Sequence, residues 1–181
     1  MTRPAPELEK KLRAIKLIAT DVDGVMTDGS FYIGADIEMK RFHSSDGLAF
    51  VLLRLLDFPV AVISGRFSKA TLTRTRALHI PDDLVFQDGY VKTHAFETLK
   101  TRFGLQDHEI AFIGDDHIDA PVMRRCGAAF APANAIPEIK ALADHVTAVP
   151  GGSGALREMV DMILTAQGRM EEALQKLHGL Y

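Results

Sequence analysis

Residues 15–29 read IKLIATDVDGVMTDG. The first six of these, IKLIAT, form a short apolar run rich in β-formers that stops at the acidic turn Asp21-Val22-Asp23-Gly24. This predicts a buried strand whose carboxyl end carries two aspartates. The same pattern recurs along the chain. VAVI (60–63) runs into Ser64-Gly65-Arg66, LVFQ (84–87) precedes Lys92, and EIAFI (109–113) feeds GDDHIDAP; GAAFA (127–131) and HVTAV (145–149) continue the series. Helical segments separate these runs, so the expected fold is α/β, a doubly wound, mostly parallel sheet covered on both faces. Ligands collect at the carboxyl ends of strands in such sheets. Asp21, Ser64, Lys92 and Asp115 all fall there, so four distant residues are expected to converge on one sheet edge.

Local signals fill in the rest. FYIG (31–34) and EMKRFH (38–43) flank Gly34-Ala35-Asp36 and predict a β-hairpin. Asp46 is the expected N-cap of the helix GLAFVLLRLLDF, which Pro59 ends. Ser68 is expected to cap a helix to about Leu78. Thr93 opens another, with Phe96, Leu99 and Phe103 on one face and Gly104 as its stop. Further helices are expected near Pro121 and from Pro137. Beyond GGSG (151–154) a helical tail is expected over about 155–181, interrupted near Gly168. Residues 1–13 are polar and predict a loose arm or a short lead-in helix.

At 181 residues, 47% hydrophobic and 25% charged, the chain is long enough for one domain with a sizeable core, expected to span 1–181. A net charge of -3 gives no electrostatic reason to expect nucleic acid or an anionic membrane. No apolar run approaches a membrane span, and MTRPAPELEKKLR lacks a signal-peptide core, so a cytoplasmic location is expected. The single cysteine, Cys126, excludes an intramolecular disulfide or a Cys-rich zinc site and reads as a small buried hydrophobe.

Asp21 and Asp23 lie close together, and Asp115, Asp116 and Asp119 follow a second strand. Clustered carboxylates repel unless a cation or a shared proton relieves them; a hard ion such as Mg²⁺ suits an oxygen-only set better than Zn²⁺. The turn is no EF-hand, because Val25 and Tyr32 occupy the positions that would need ligands. Ser64 and the amides around Gly65 precede a helix and can donate to a phosphoryl group, and Lys92 adds positive charge. With the metal, these groups would neutralise the anion and let a carboxylate approach phosphorus.

With these residues in place, the sequence resembles the haloacid dehalogenase phosphatase superfamily. DVDGVMTDG (21–29), VISGR (62–66), Lys92 and IGDDHID (113–119) stand as its four motifs, in order. By that resemblance Asp21 is the nucleophile and Asp23 the general acid and base. Mg²⁺ is held by Asp21, Asp115 and the Asp23 carbonyl, while Ser64, Gly65 and Lys92 grip phosphate. Asp116 orients Lys92 or supports the metal, with Asp119 beside it.

The 43 residues from Asp21 to Ser64 and the 28 from Ser64 to Lys92 leave no room for an inserted cap domain. Among capless members, FHSSDGLAF, GDDHIDAPVM, GGSGALRE and the late AQG are similar to the 3-deoxy-D-manno-octulosonate 8-phosphate (KDO 8-phosphate) phosphatase family. That resemblance implies a sugar-phosphate substrate and a homotetramer whose hairpins pack together and whose tails reach neighbouring sites. It also implies Arg66, Arg74 and Asp46 as substrate contacts, with an arginine for the sugar-acid carboxylate. Arg66 favours the eight-carbon sugar over nine-carbon sialic-acid-type 9-phosphates. GLAF after Asp46 and Ser153 in GGSG depart from the family's usual pattern. A phosphoacceptor module fits less well, because its phosphorylated Asp comes from a middle strand; a non-catalytic scaffold is the other alternative.

Overall fold

A computed structural model describes residues 4–179. In chain order it contains α1 (Pro6–Ala14), β1 (Leu17–Thr20), a hairpin of β2 (Phe31–Ile33) and β3 (Glu38–Lys40), α2 (Ser44–Leu55), β4 (Val60–Ile63), α3 (Lys69–Ala77), β5 (Val85–Phe86) and α4 (Thr93–Phe103). There follow β6 (Ile110–Ile113), α5 (Ala120–Met123), β7 (Ala128–Ala131), α6 (Pro137–Leu142), β8 (His145–Val146), α7 (Ala155–Ala166) and α8 (Met170–His178).

Six strands pair in the order β5-β4-β1-β6-β7-β8, all parallel. The chain winds outward from β1 to β4 and β5, then returns to build β6, β7 and β8 on the other side. The carboxyl end of β1 therefore stands at the topological switch point, where ligand crevices form in open α/β sheets. Every residue of β1, β6 and β7 is buried, as expected for central strands covered on both faces. Helices α1, α2, α7 and α8 pack together, and α4, α5 and α6 form a second group. By the right-handed rule for parallel crossovers, the two groups belong on opposite faces. Phe96, Phe112, Phe130 and Leu99 are among the largest fully buried side chains.

Among the described residues the hairpin is the only insertion near the first strand, and no cap domain separates the strand ends. Of the 1–13 segment, the described part from Pro6 takes the helical alternative. Pro6 starts α1, Leu12 is fully buried, and Gln167 donates to the carbonyls of Leu12 and Ile15 at 3.0 and 2.7 Å. Ser68 caps α3 and Gly104 ends α4 in the left-handed region at φ 64°, both as expected. The tail breaks between α7 and α8 at Gly168, φ 68°; its last two residues lie outside the described ones.

Two local expectations fail. The strand expected over 145–149 pairs only at His145–Val146, after which Thr147 turns its hydroxyl onto the Val149 carbonyl. Asp46 does not cap α2. The helix starts three residues earlier with His43 as N-cap, its Nδ1 accepting from the Ser45 amide, and Asp46 lies inside the first turn. Among the described residues no helix is long and apolar enough to cross a membrane.

Candidate active site

Where β1 ends, the Asp21 amide donates to the Ile113 carbonyl of β6 at 3.0 Å, which holds the DVDG turn against the GDDHID loop. Gly24 then takes φ 91°, and a Cβ there would collide with the Asp115 carboxylate. Glycine is thus required both for the backbone angle and for the approach of the two acidic segments. Asn134 ties the turn to GGSG: its side-chain amide donates to the Gly24 carbonyl at 3.1 Å and accepts from the Gly151 amide at 2.6 Å. The Gly152 amide adds a bond to the Val25 carbonyl at 2.9 Å. GGSG thus braces the first acidic turn.

Asp21, Asp23, Ser64, Gly65, Arg66, Asp115 and Asp116 line one cleft of about 190 Å³, joined by Tyr90 and Ile118. Lys92 sits behind this lining. Its side chain is fully buried, with Nζ 2.8 Å from Asp21 and 2.6 Å from Asp119. Asp119, rather than Asp116, therefore orients Lys92. The second Asp119 oxygen accepts from the amides of Asp115 and Asp116 at 2.9 and 3.3 Å. The Asp116 carboxylate faces the cleft and caps the next turn through the His117 amide at 2.6 Å. A larger cleft of about 750 Å³ lies beside α7 but is lined by other residues, among them Ser153, Arg157 and Glu158.

Arg74 and Asp46 do not join the cleft. Asp46 accepts from the Arg157 amide at 2.9 Å, pinning α7 to α2, while Arg74 lies 5.7 Å from the centre of the Phe42 ring. Arg66 does reach the cleft, but its guanidinium is paired with Glu38 of the hairpin at 2.8 Å and lies 4.5 Å over Phe31. Ser68 fixes the other Glu38 oxygen at 2.6 Å. Asp23 is held by Lys40, with Nζ 2.7 Å from one carboxylate oxygen and 2.9 Å from the other.

Glu38, Lys40, Tyr90 and Asn134 were not anticipated. The signal for the first two is their alternation about Met39, which puts both charges on one strand face. Cys126 was expected to be buried but is only part-buried, packed against the core, with its thiol pushed up to about 12 chiefly by burial.

The electrostatics show a cluster short of positive charge. Burial pushes Asp21 up to about 6 against the pull of Lys92. Burial and the repulsion of Asp21 and Asp119 push Asp115 up to about 8. Burial alone would lower the Lys92 ammonium, but Asp21 and Asp119 outweigh it and hold it above its ordinary value. Oxygens of Asp21, Asp115 and Asp119 lie within 4.8 Å of one another, and among the described residues the buried Asp115 Oδ1 has no hydrogen-bond partner. With Asp119 committed to Lys92 and two amides, Asp21 and Asp115 remain as an oxygen pair that fits a hard divalent cation.

Residues 64–158 match the haloacid dehalogenase-like hydrolases. The chain is 42% identical over 163 residues to the 3-deoxy-D-manno-octulosonate 8-phosphate phosphatase of Haemophilus influenzae, covering 90% of this chain and 89% of that one. The chain belongs to this family of haloacid dehalogenase-like hydrolases. The crystal structure of the Yersinia pestis phosphatase superimposes with a TM-score of 0.89 at 38% identity, covering 92% of this chain and 90% of that one. The Moraxella catarrhalis enzyme, solved with a magnesium ion, a phosphate ion and KDO, superimposes with a TM-score of 0.89 at 31% identity, covering 94% and 98%. The acidic cleft here lies at the carboxyl edge of the sheet, and membership agrees with the order of the four motifs.

Proposed function

We propose that this chain is a Mg²⁺-dependent phosphomonoesterase that hydrolyses KDO 8-phosphate to the free sugar acid and inorganic phosphate. The observation that carries the reading is the meeting of Asp21, Asp23, Ser64 and Asp115 in one small cleft, with Lys92 locked behind Asp21. The kinship with named KDO 8-phosphate phosphatases supports the substrate.

In this reading an Asp21 carboxylate oxygen attacks phosphorus, the bond from phosphorus to the sugar oxygen breaks, and Asp23 gives its proton to the departing alkoxide. Water then attacks the aspartyl phosphate while Asp23 takes a proton from it, releasing phosphate and restoring Asp21. Lys92 holds Asp21 in place for the attack, and Asp119 fixes Lys92. Ser64 and the Gly65 amide donate to the phosphoryl oxygens at the head of α3. Asp21, Asp115 and the Asp23 carbonyl would hold Mg²⁺, which supplies charge neutralisation at the phosphoryl oxygens. Arg66 faces the sugar acid, and Glu38 sets its direction. Arg74 and Asp46, outside the cleft of their own chain, are given no part.

We also infer a cytoplasmic homotetramer. Phe31, Tyr32, Ile33, Ile37 and Met39 leave an apolar surface exposed on the hairpin, which supports self-association. Light scattering at micromolar concentration tests it, and a monomer refutes it.

The deciding experiment is Mg²⁺-dependent phosphate release from KDO 8-phosphate, a nine-carbon sugar-acid 9-phosphate and an aryl phosphate, with Asp21→Asn as control. Strong preference for the first, abolished in the variant, is expected. Preference for the nine-carbon ester would keep the chemistry and change the substrate; release from none would refute the reading.

A further inference from the structure

We propose that Lys40, on the hairpin, is a positioning residue for Asp23, so that the hairpin helps to set up proton transfer in the cleft. The inference rests on the reading of Asp23 as the general acid and base. Its starting point is an oddity of burial. Strand β3 lies on the surface and Met39 is 52% exposed, yet the Lys40 side chain is 0% exposed. Lysine is almost never buried without partners. Here the partners are the Asp23 carboxylate, at 2.7 and 2.9 Å, and the Thr71 hydroxyl of α3, at 3.2 Å.

Asp23 has little else to hold it. Among the described residues no other side chain pairs with its carboxylate, which stays 24% exposed at the cleft. A proton-transferring carboxyl must present one oxygen to the scissile bond, and free rotation about its side-chain torsions would spread it over many useless positions. Contact of one ammonium with both oxygens removes that freedom. Lys92 holds Asp21 through one oxygen, at 2.8 Å, so each aspartate of the motif has its own buried lysine side chain.

The anchorage of Lys40 is built in. Glu38, two residues earlier and therefore on the same face of β3, bonds Arg66 and Ser68. Thr71 follows Ser68 within the first turn of α3, whose cap is the Ser68 hydroxyl on the Thr71 amide at 3.3 Å. One helix start thus grips the hairpin twice, at Glu38 and at Lys40. The position of Asp23 in turn depends on how the hairpin docks.

The test compares Lys40→Met, Lys40→Arg, Thr71→Val and Asp23→Asn in steady-state and stopped-flow assays, with circular dichroism to confirm folding. General acid–base catalysis contributes about 10²- to 10⁴-fold, so losing alignment should lower kcat for KDO 8-phosphate by about 10- to 100-fold. KM should change less than about threefold, since a positioning residue does not bind substrate. With 4-nitrophenyl phosphate, whose leaving group needs no proton, Lys40→Met should show a burst of nitrophenolate followed by slow turnover. Lys40→Arg, which keeps the charge and the donors, should recover much of kcat. A Lys40→Met kcat within twofold of wild type, beside a collapsed Asp23→Asn, overturns the role of Lys40 alone. An active Asp23→Asn overturns the underlying reading. A change confined to KM makes Lys40 a substrate contact and also overturns the proposal. If Lys40→Met does not fold, Thr71→Val decides: a fall in kcat at unchanged KM supports it, and an unchanged kcat refutes it.

Discussion

Mg²⁺ should bind about 100-fold more tightly at pH 8 than at pH 6, and the reason lies in two carboxyls. Burial and carboxylate repulsion push Asp115 up to about 8, and burial pushes Asp21 up to about 6. A carboxyl must lose its proton before it coordinates a cation. Below pH 8 each further unit of acidity leaves about tenfold fewer Asp115 carboxylates, and near pH 6 about half of the Asp21 groups are protonated as well. Taken together over these two pH units, the change is about 2.7 kcal/mol in binding free energy. At pH 7 each ion should displace about one proton, mostly from Asp115. Titration calorimetry in two buffers of different ionisation enthalpy reads both the Kd and the proton count. A Kd that stays constant from pH 6 to 8, or binding without proton release, would refute the reasoning. Stability of the metal-free protein should run the opposite way. A carboxyl raised in the folded state binds its proton more tightly there than in the unfolded chain. Its contribution is complete below the unfolded value near 4 and is lost as pH rises toward 8. Asp115→Asn should flatten that decline and abolish tight Mg²⁺ binding together.

Other expectations follow from the same geometry. Lys92→Met removes a fully buried ammonium from between Asp21 and Asp119, and breaking such a cluster should cost about 3–5 kcal/mol in urea unfolding with chelator present; a loss below about 1 kcal/mol would mean that the acids simply take up protons. Gly24→Ala forces a Cβ onto the Asp115 carboxylate at a backbone angle of φ 91°. It should lower stability by about 1–3 kcal/mol and weaken Mg²⁺ binding, and calorimetry showing wild-type affinity would contradict the contact. Arg66→Ala should raise KM for KDO 8-phosphate by about tenfold or more and leave KM for an aryl phosphate within about twofold. Equal effects on both substrates would remove Arg66 from substrate recognition.

The contrast between what the sequence disclosed and what it hid has a physical origin. Buried parallel strands are continuous apolar runs, and the groups that act at their ends must be polar, so Asp21, Ser64 and Asp115 stand out at abrupt changes of composition. Helix stops and starts such as Gly104 and Ser68 were equally legible, because each rests on one residue's backbone or hydroxyl. The misreadings concern contacts that depend on loop shape. Asp119 displaces Asp116 as the partner of Lys92 because a single 3₁₀ turn over His117–Asp119 folds its carboxylate back onto the amides of Asp115 and Asp116. His43 displaces Asp46 as a cap because an imidazole nitrogen accepts an amide as an Asx oxygen does, and nothing in composition distinguishes the two positions.

The hairpin is the most instructive case, because its polarity is reversed. Strand β3 turns the half-buried charge of Glu38 and the buried ammonium of Lys40 inward and exposes Met39, and β2 exposes Phe31, Tyr32 and Ile33. Read as an ordinary amphipathic strand, it would be docked with the wrong face inward. The reversal becomes intelligible once the site is known. The cleft is acidic, and the neighbouring arginine needs a counter-charge, so the strand that covers them must present a lysine and a glutamate. Its apolar residues are left on the outside, where a second copy of the chain can cover them. In the proposed tetramer, oligomer formation and site assembly would share one element, with one face of the hairpin for each. Substitutions at Tyr32 or Ile33 that only break subunit contacts should therefore also loosen Asp23. A fall in kcat that tracks dissociation into monomers, with Lys40 intact, is the expected signature. Monomers with full kcat would show that the inner face docks without help from the outer one.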